Sequence, residues 1–139
     1  MKNIILDTNA LMAIAEFKID LFSELESVCD FTYEIFILSG TIKELKKIME
    51  EQRGKYKAAA KLALGIIRVK GIKQIESTGY VDDVLVDYSK KDYLILTQDA
   101  ALKKRLAKPY LTIRQKKRII IVKNLFIVAL VFCEKPSRL

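Results

Sequence analysis

Four places in the chain put an acid where an apolar run gives way. Asp7 follows Ile4–Leu6, and Glu44 comes soon after Glu34–Leu38. The Asp82–Asp83 pair heads the stretch Val81–Lys91, and Asp99 comes just after Tyr93–Thr97. Such acids suit one of two jobs. An aspartate at a helix start accepts backbone N–H groups as a cap, and Thr41 with Glu44 three residues on has capping-box spacing. Alternatively, several carboxylates share a pocket, where they repel one another and raise each other's pKa values until a divalent cation relieves the conflict. Serine, threonine or asparagine caps a helix without adding charge, so four acids in equivalent places favour the shared pocket. Oxygen donors without imidazole or thiolate select a hard ion, Mg²⁺ or Mn²⁺. An ion held this way beside a basic surface suits phosphodiester hydrolysis, because it acidifies a bound water and stabilises the leaving oxygen.

The intervening segments must bring these acids together. Ile4–Leu6, Glu34–Leu38 and Tyr93–Thr97 read as short strands of the fully buried kind, and Ile72–Ile75 as a weaker one. Helical spacing is expected over Thr8–Phe17, Leu21–Val28, Thr41–Glu51, Lys55–Gly71, Val81–Lys91 and Asp99–Lys108, with Pro109 ending the last. On Lys55–Gly71, Tyr56, Leu62 and Ile66 read as core, and Lys55, Lys57, Lys61 and Arg68 as a solvated face. Tyr110–Ile113 and Arg118–Val122 close the pattern as strands. Strands alternating with helices predict an α/β fold on a mainly parallel sheet. In such a sheet, strand ends that lead into helices share one edge, so the four acidic places converge.

Composition narrows the chemistry further. The chain has no histidine, which excludes histidine-dependent triads and histidine-bearing zinc sites. Cys29 and Cys133 are the only cysteines and are not closely spaced, which predicts no disulfide framework and a reducing, cytoplasmic setting. The 139 residues suit a single domain, and a net charge of +8 suits a polyanionic partner such as nucleic acid. The apolar start is broken at Asp7, too early for a signal peptide, and the run Leu125–Cys133 is too short to span a bilayer, so no membrane role is expected.

Taken together, IILDTNALM at Ile4–Met12, Glu44 within TIKEL, VDDVLVDYSKK and LTQDAALKKRL resemble the PIN-domain ribonucleases. In particular they resemble small archaeal members, which include VapC-type toxins and relatives of enzymes that process ribosomal RNA. The resemblance covers roughly Lys2 to Val122. It implies a three-layer α/β/α domain with a central parallel sheet and an acidic cluster that binds Mg²⁺ or Mn²⁺. It also implies hydrolysis of single-stranded RNA that leaves a 5′-phosphate. By position Asp7, Glu44 and Asp99 match family acids. The remaining acid falls on the Asp82–Asp83 pair, where Asp83 is favoured and Asp82 is left as a supporting or alternate ligand. Asn9 and Thr97 match polar positions that orient ligands or water.

A basic run follows the Asp99 motif. Lys103, Lys104, Arg105 and Lys108 precede Arg114, Lys116, Lys117 and Arg118, a pattern suited to RNA phosphates, and Tyr110 among them is placed to stack on a base. This basic arrangement sits closer to the processing branch than to the toxins. The partners expected are RNA, single-stranded or structured, an antitoxin or ribosome-assembly factor, and a second copy of the chain. Residues 1–122 are expected to form the nuclease domain and 123–139 an apolar extension. A phosphoaspartyl phosphatase needs a second acid two residues after the first, where this chain has Asn9. A receiver domain places its acid pair after the first strand rather than at Asp82–Asp83. The surviving alternative is a non-catalytic RNA-binding or scaffold protein of the same fold, against which the presence of every family acid argues.

Overall fold

The computed structural model describes residues 1–123. Residues 124–139, all but the first residue of the expected extension, lie outside the described residues. The elements are β1 (Lys2–Leu6), α1 (Thr8–Glu16), α2 (Leu21–Val28), β2 (Tyr33–Leu38), α3 (Ser39–Glu51) and α4 (Lys55–Val69). They continue with β3 (Lys73–Ile75), α5 (Val81–Ser89), β4 (Leu94–Leu96), α6 (Ala100–Arg105), β5 (Tyr110–Arg114) and β6 (Arg118–Val122). Every strand and helix expected from the pattern is present, with ends shifted by a few residues.

The six strands form one sheet in the order β3-β2-β1-β4-β5-β6. All neighbours are parallel except β5 and β6, which make an antiparallel hairpin. Successive side chains on a strand face opposite sides, so each buried strand feeds two cores. Ile4 and Leu6 join one core with Leu11, Ile14, Leu25, Leu45 and Ala60, beneath the helices α1 to α4. Ile5 and Ile95 point into the other with Leu85, Val86 and Leu102, beneath α5 and α6. The layers are therefore helix, sheet, helix. Among the described residues no helix is long and apolar enough to cross a membrane.

Helix α4 differs from expectation in its buried face. Ala59, Ala60 and Ala63 are the residues it buries, while Tyr56 is 54% and Leu62 50% exposed. The small alanines let α4 lie close against its neighbours, which leaves the bulky residues at the margin. Tyr110 departs the other way: it is buried with the α5–α6 core and is not available to stack on a base.

Helix α3 starts two residues earlier than its pattern predicts, at Ser39. Gly40 therefore does not break the chain; it sits in the first turn of the helix. The Gly40 N–H donates to Ser77 Oγ at 3.2 Å, and a Cβ on Gly40 would lie 2.8 Å from Val81 Cγ2. Val81 opens the next acidic helix, so this contact sets the spacing between α3 and α5. Gly40→Ala is expected to destabilise the protein by about 1–3 kcal/mol through overpacking, despite alanine's better helix propensity of roughly 1 kcal/mol. Urea unfolding checks it: a midpoint at or above the parent's means that Val81 yields without cost.

Candidate active site

The C-terminal ends of β1 and β4 lie side by side, with Ile4, Ile5 and Leu6 in register with Leu94, Ile95 and Leu96. The chain leaves both strands at the same edge, and the Asp7 N–H donates to the Leu96 carbonyl at 2.9 Å. Asp7 caps α1 and is buried, at 4% exposure. Its Oδ1 accepts from the Thr8 N–H and its Oδ2 from the Thr97 hydroxyl, both at 2.8 Å. Burial pushes the Asp7 carboxyl up from 3.8 to about 6. The two hydrogen bonds pull against that rise, and the charges of Asp82 and Glu44 add to it.

Two threonines tie the acids together. Thr97, fully buried, donates to Asp7 and accepts the Asp99 N–H at 3.1 Å, so it links residues that begin different helices. Thr8 donates its hydroxyl to Glu44 Oε1, joining the start of α1 to α3. Thr97, expected at a polar position that orients ligands or water, makes its contacts to Asp7 and to the Asp99 backbone. Thr8 enters the sequence pattern only as the start of a helix. Its signal was weak because threonine after a strand-end acid is also ordinary turn chemistry.

The caps sort the acids. Asp99 does cap its helix: Oδ1 accepts the Ala101 and Leu102 N–H groups at 2.8 and 3.2 Å. Glu44 completes no capping box, because α3 begins at Ser39 with no side-chain cap and places Thr41 inside the helix, fully buried. Helix α5 is preceded by Tyr80, also without a side-chain cap, so Asp82 and Asp83 are first-turn residues and neither caps.

Asp7, Thr8, Asn9, Glu44, Asp82 and Asp99 line one cleft of about 470 Å³, with Lys47, Ile48, Glu51 and Gln52 completing it. The two members of the acid pair stand differently from the expectation that favoured Asp83. Asp82 faces the shared cleft, whereas Asp83 Oδ1 accepts from Arg105 Nη2 at 2.6 Å, beside it. Successive helix residues are turned by about 100°, so of the two only Asp82 reaches the cleft that holds Asp7 and Asp99, while both border the adjoining pocket. Lys47 and Glu51 lie three and seven residues beyond Glu44 on the same face of α3, and that helical spacing is the signal that places them in the cleft.

The acids line the cleft without closing into a cage. Among the described residues no three acidic or cysteine side chains already form a metal-holding group. Glu44 and Asp99 each have an oxygen committed to a protein donor. The donor chemistry nonetheless fits a hard cation: every candidate ligand is a carboxylate, and one is buried.

The expected RNA-binding cations lie outside this cleft. Arg105 lines an adjoining pocket with Glu44, Tyr80, Asp82 and Asp83. Lys103 and Lys104 stand in the last turn of α6. Arg114, Lys116, Lys117 and Arg118 are exposed at the β5–β6 turn, where Lys116 Nζ lies 5.2 Å from the Phe17 ring centroid. The lysine inside the cleft is Lys47.

A family model described as a PIN-like domain matches residues 4–117. Ribonuclease VapC4 of Methanocaldococcus jannaschii is 33% identical over 125 residues, covering 84% of this chain and 94% of its own. Ribonuclease VapC9 of Archaeoglobus fulgidus is 29% identical over 122 residues, covering 84% and 87%. Among solved structures, the PIN domain endonuclease Utp24 superposes with a TM-score of 0.68 at 24% identity, over 88% of this chain and 92% of that one.

Proposed function

The chain belongs to the PIN-like domain family, and from that premise we propose that it is a divalent-metal-dependent ribonuclease that hydrolyses single-stranded RNA. The observation that carries this reading is the convergence of Asp7, Glu44, Asp82 and Asp99, from four separate segments, on one cleft. These four are the residues proposed to hold Mg²⁺ or Mn²⁺, and the ion would supply Lewis-acid activation of water and charge for the leaving oxygen.

The chain's own groups do the rest. Thr97 and Thr8 hold Asp7 from both sides, so its carboxylate enters the site in a fixed orientation. Thr97 also positions the Asp99 backbone, and Thr8 positions Glu44. With Asp7, Glu44, Glu51, Asp82 and Asp99 around it, the cleft repels a phosphodiester until its charge is neutralised, and Lys47 is the built-in cation that starts that neutralisation. The exposed cations of α6 and the β5–β6 turn are placed to hold flanking phosphates through sequence-independent contacts. Two named ribonuclease relatives are VapC proteins, which favours a toxin-type role with a protein antitoxin over ribosomal-RNA processing.

The test uses the full chain and unstructured RNA oligonucleotides. Cleavage is expected with Mn²⁺ or Mg²⁺, with 5′-phosphate products, and none in excess chelator. Cleavage that persists in chelator sinks the metal-dependent reading. RNA held but left intact under both ions turns the assignment to a non-catalytic RNA-binding protein.

A further inference from the structure

Beside the acidic cleft lies a second pocket of about 260 Å³, lined by Asn9, Met12, Ile48, Gln52 and Tyr56. It shares Asn9, Ile48 and Gln52 with the cleft, so the two are continuous. Their chemistry differs sharply. The cleft is crowded with carboxylates, whereas the side pocket is lined by no charged residue. Tyr56 is 54% exposed at the start of α4, an unusual position for a large aromatic that its helix does not bury. Met12 and Ile48 give apolar surface, and the amides of Asn9 and Gln52 each offer a donor and an acceptor.

We propose that this pocket receives one unpaired base of the RNA whose backbone crosses the acidic cleft, with Tyr56 as the stacking surface; this rests on the ribonuclease reading. A phosphate finds no cation within the pocket, and an amino or guanidinium group finds no anion. A flat, largely apolar ring with hydrogen-bonding edges suits both the lining and the two amides. The volume falls below the roughly 300 Å³ at which pockets for larger ligands begin, which limits the occupant to about one base. Just outside, Lys55 Nζ lies 5.7 Å from the Tyr56 ring centroid and 4.0 Å from Glu16 Oε1. It sits over the ring, so a base stacks on the opposite face or displaces this lysine. Aromatic stacking tolerates any base, and the paired amides supply a means of preferring one.

Binding without turnover tests the pocket. Full-length Asp7→Asn protein is titrated with fluorescent single-stranded RNA, alone and combined with Tyr56→Ala or Tyr56→Phe. Tyr56→Ala is expected to weaken binding by about 5- to 100-fold, and Tyr56→Phe, which keeps the ring, to restore it. An oligonucleotide with an abasic site at one position is expected to lose affinity for the Tyr56 protein but not for Tyr56→Ala, so the two changes fail to add. Equal affinity of the alanine variant, or abasic effects that are the same with and without Tyr56, overturns the proposal and means that the pocket serves a protein partner or none. The two readings separate cleanly. Tyr56-dependent binding by a protein that never cleaves RNA keeps the base pocket and discards the nuclease. Metal-dependent cleavage with no Tyr56 dependence does the reverse.

Discussion

Asp7→Asn is expected to abolish RNA cleavage and, in the metal-free protein at neutral pH, to make the fold more stable. The loss of activity follows from the position of Asp7 at the back of the cleft. Substitutions of groups that merely orient a metal ligand cost roughly 10- to 100-fold, so loss of a carboxylate in the site itself is expected to exceed about a hundredfold. The gain in stability follows from burial. The Asp7 carboxyl titrates near 3.8 when unfolded and at about 6 in the fold. Between those values the native chain holds the proton and the unfolded chain does not, so stability falls as pH rises. Above about pH 6 the ionised side chain costs on the order of 3 kcal/mol relative to its neutral form. Asparagine removes that ionisation. Thermal unfolding in chelator is therefore expected to show the variant ahead of the parent by about 1–3 kcal/mol at pH 7.5, with the advantage gone near pH 4. A variant that melts below the parent at pH 7.5 means that the charged form is welcome there and that burial is not its dominant influence.

The second large effect separates two adjacent residues. Asp82→Asn is expected to lower cleavage on the order of a hundredfold, whereas Asp83→Asn retains most of the activity. Asp82 borders the cleft and its charge reaches Asp7, while Asp83 is paired with Arg105 in an exposed contact. An exposed ion pair contributes little to a fold, so Asp83→Asn also leaves the melting temperature near the parent's. Parallel kcat measurements at saturating metal decide the matter. If Asp83→Asn is the inactive variant, the helix presents its other face to the substrate and the assignment within the pair reverses.

That reversal touches the limit of what could be read from the chain as written. The layering was legible because buried strands such as Ile4–Leu6 and Leu94–Leu96 announce themselves as apolar runs between helical patterns. The convergence of the acids was legible too, because parallel strands deliver their ends to one edge. Choosing between Asp82 and Asp83 was a different problem. Both begin the same helix, and the deciding contact is with Arg105, 22 residues away. Helix α4 misled for a related reason. Its apolar residues fit a helical face, but which of them is buried depends on how closely Ala59, Ala60 and Ala63 let it approach the rest. Tyr110 was drawn toward RNA by its charged neighbours, while the strand containing it runs into the core. In each case the sequence pattern located the element, and packing from distant segments oriented it.

The hydrogen bond from Thr97 to Asp7 spans 90 residues of chain. Until β4 slots in beside β1, the first acid has no companion from the last. A polypeptide still emerging from the ribosome, with β4 unmade, therefore carries no assembled acidic cleft. In the proposed nuclease, action on RNA waits until β4 has taken its place beside β1.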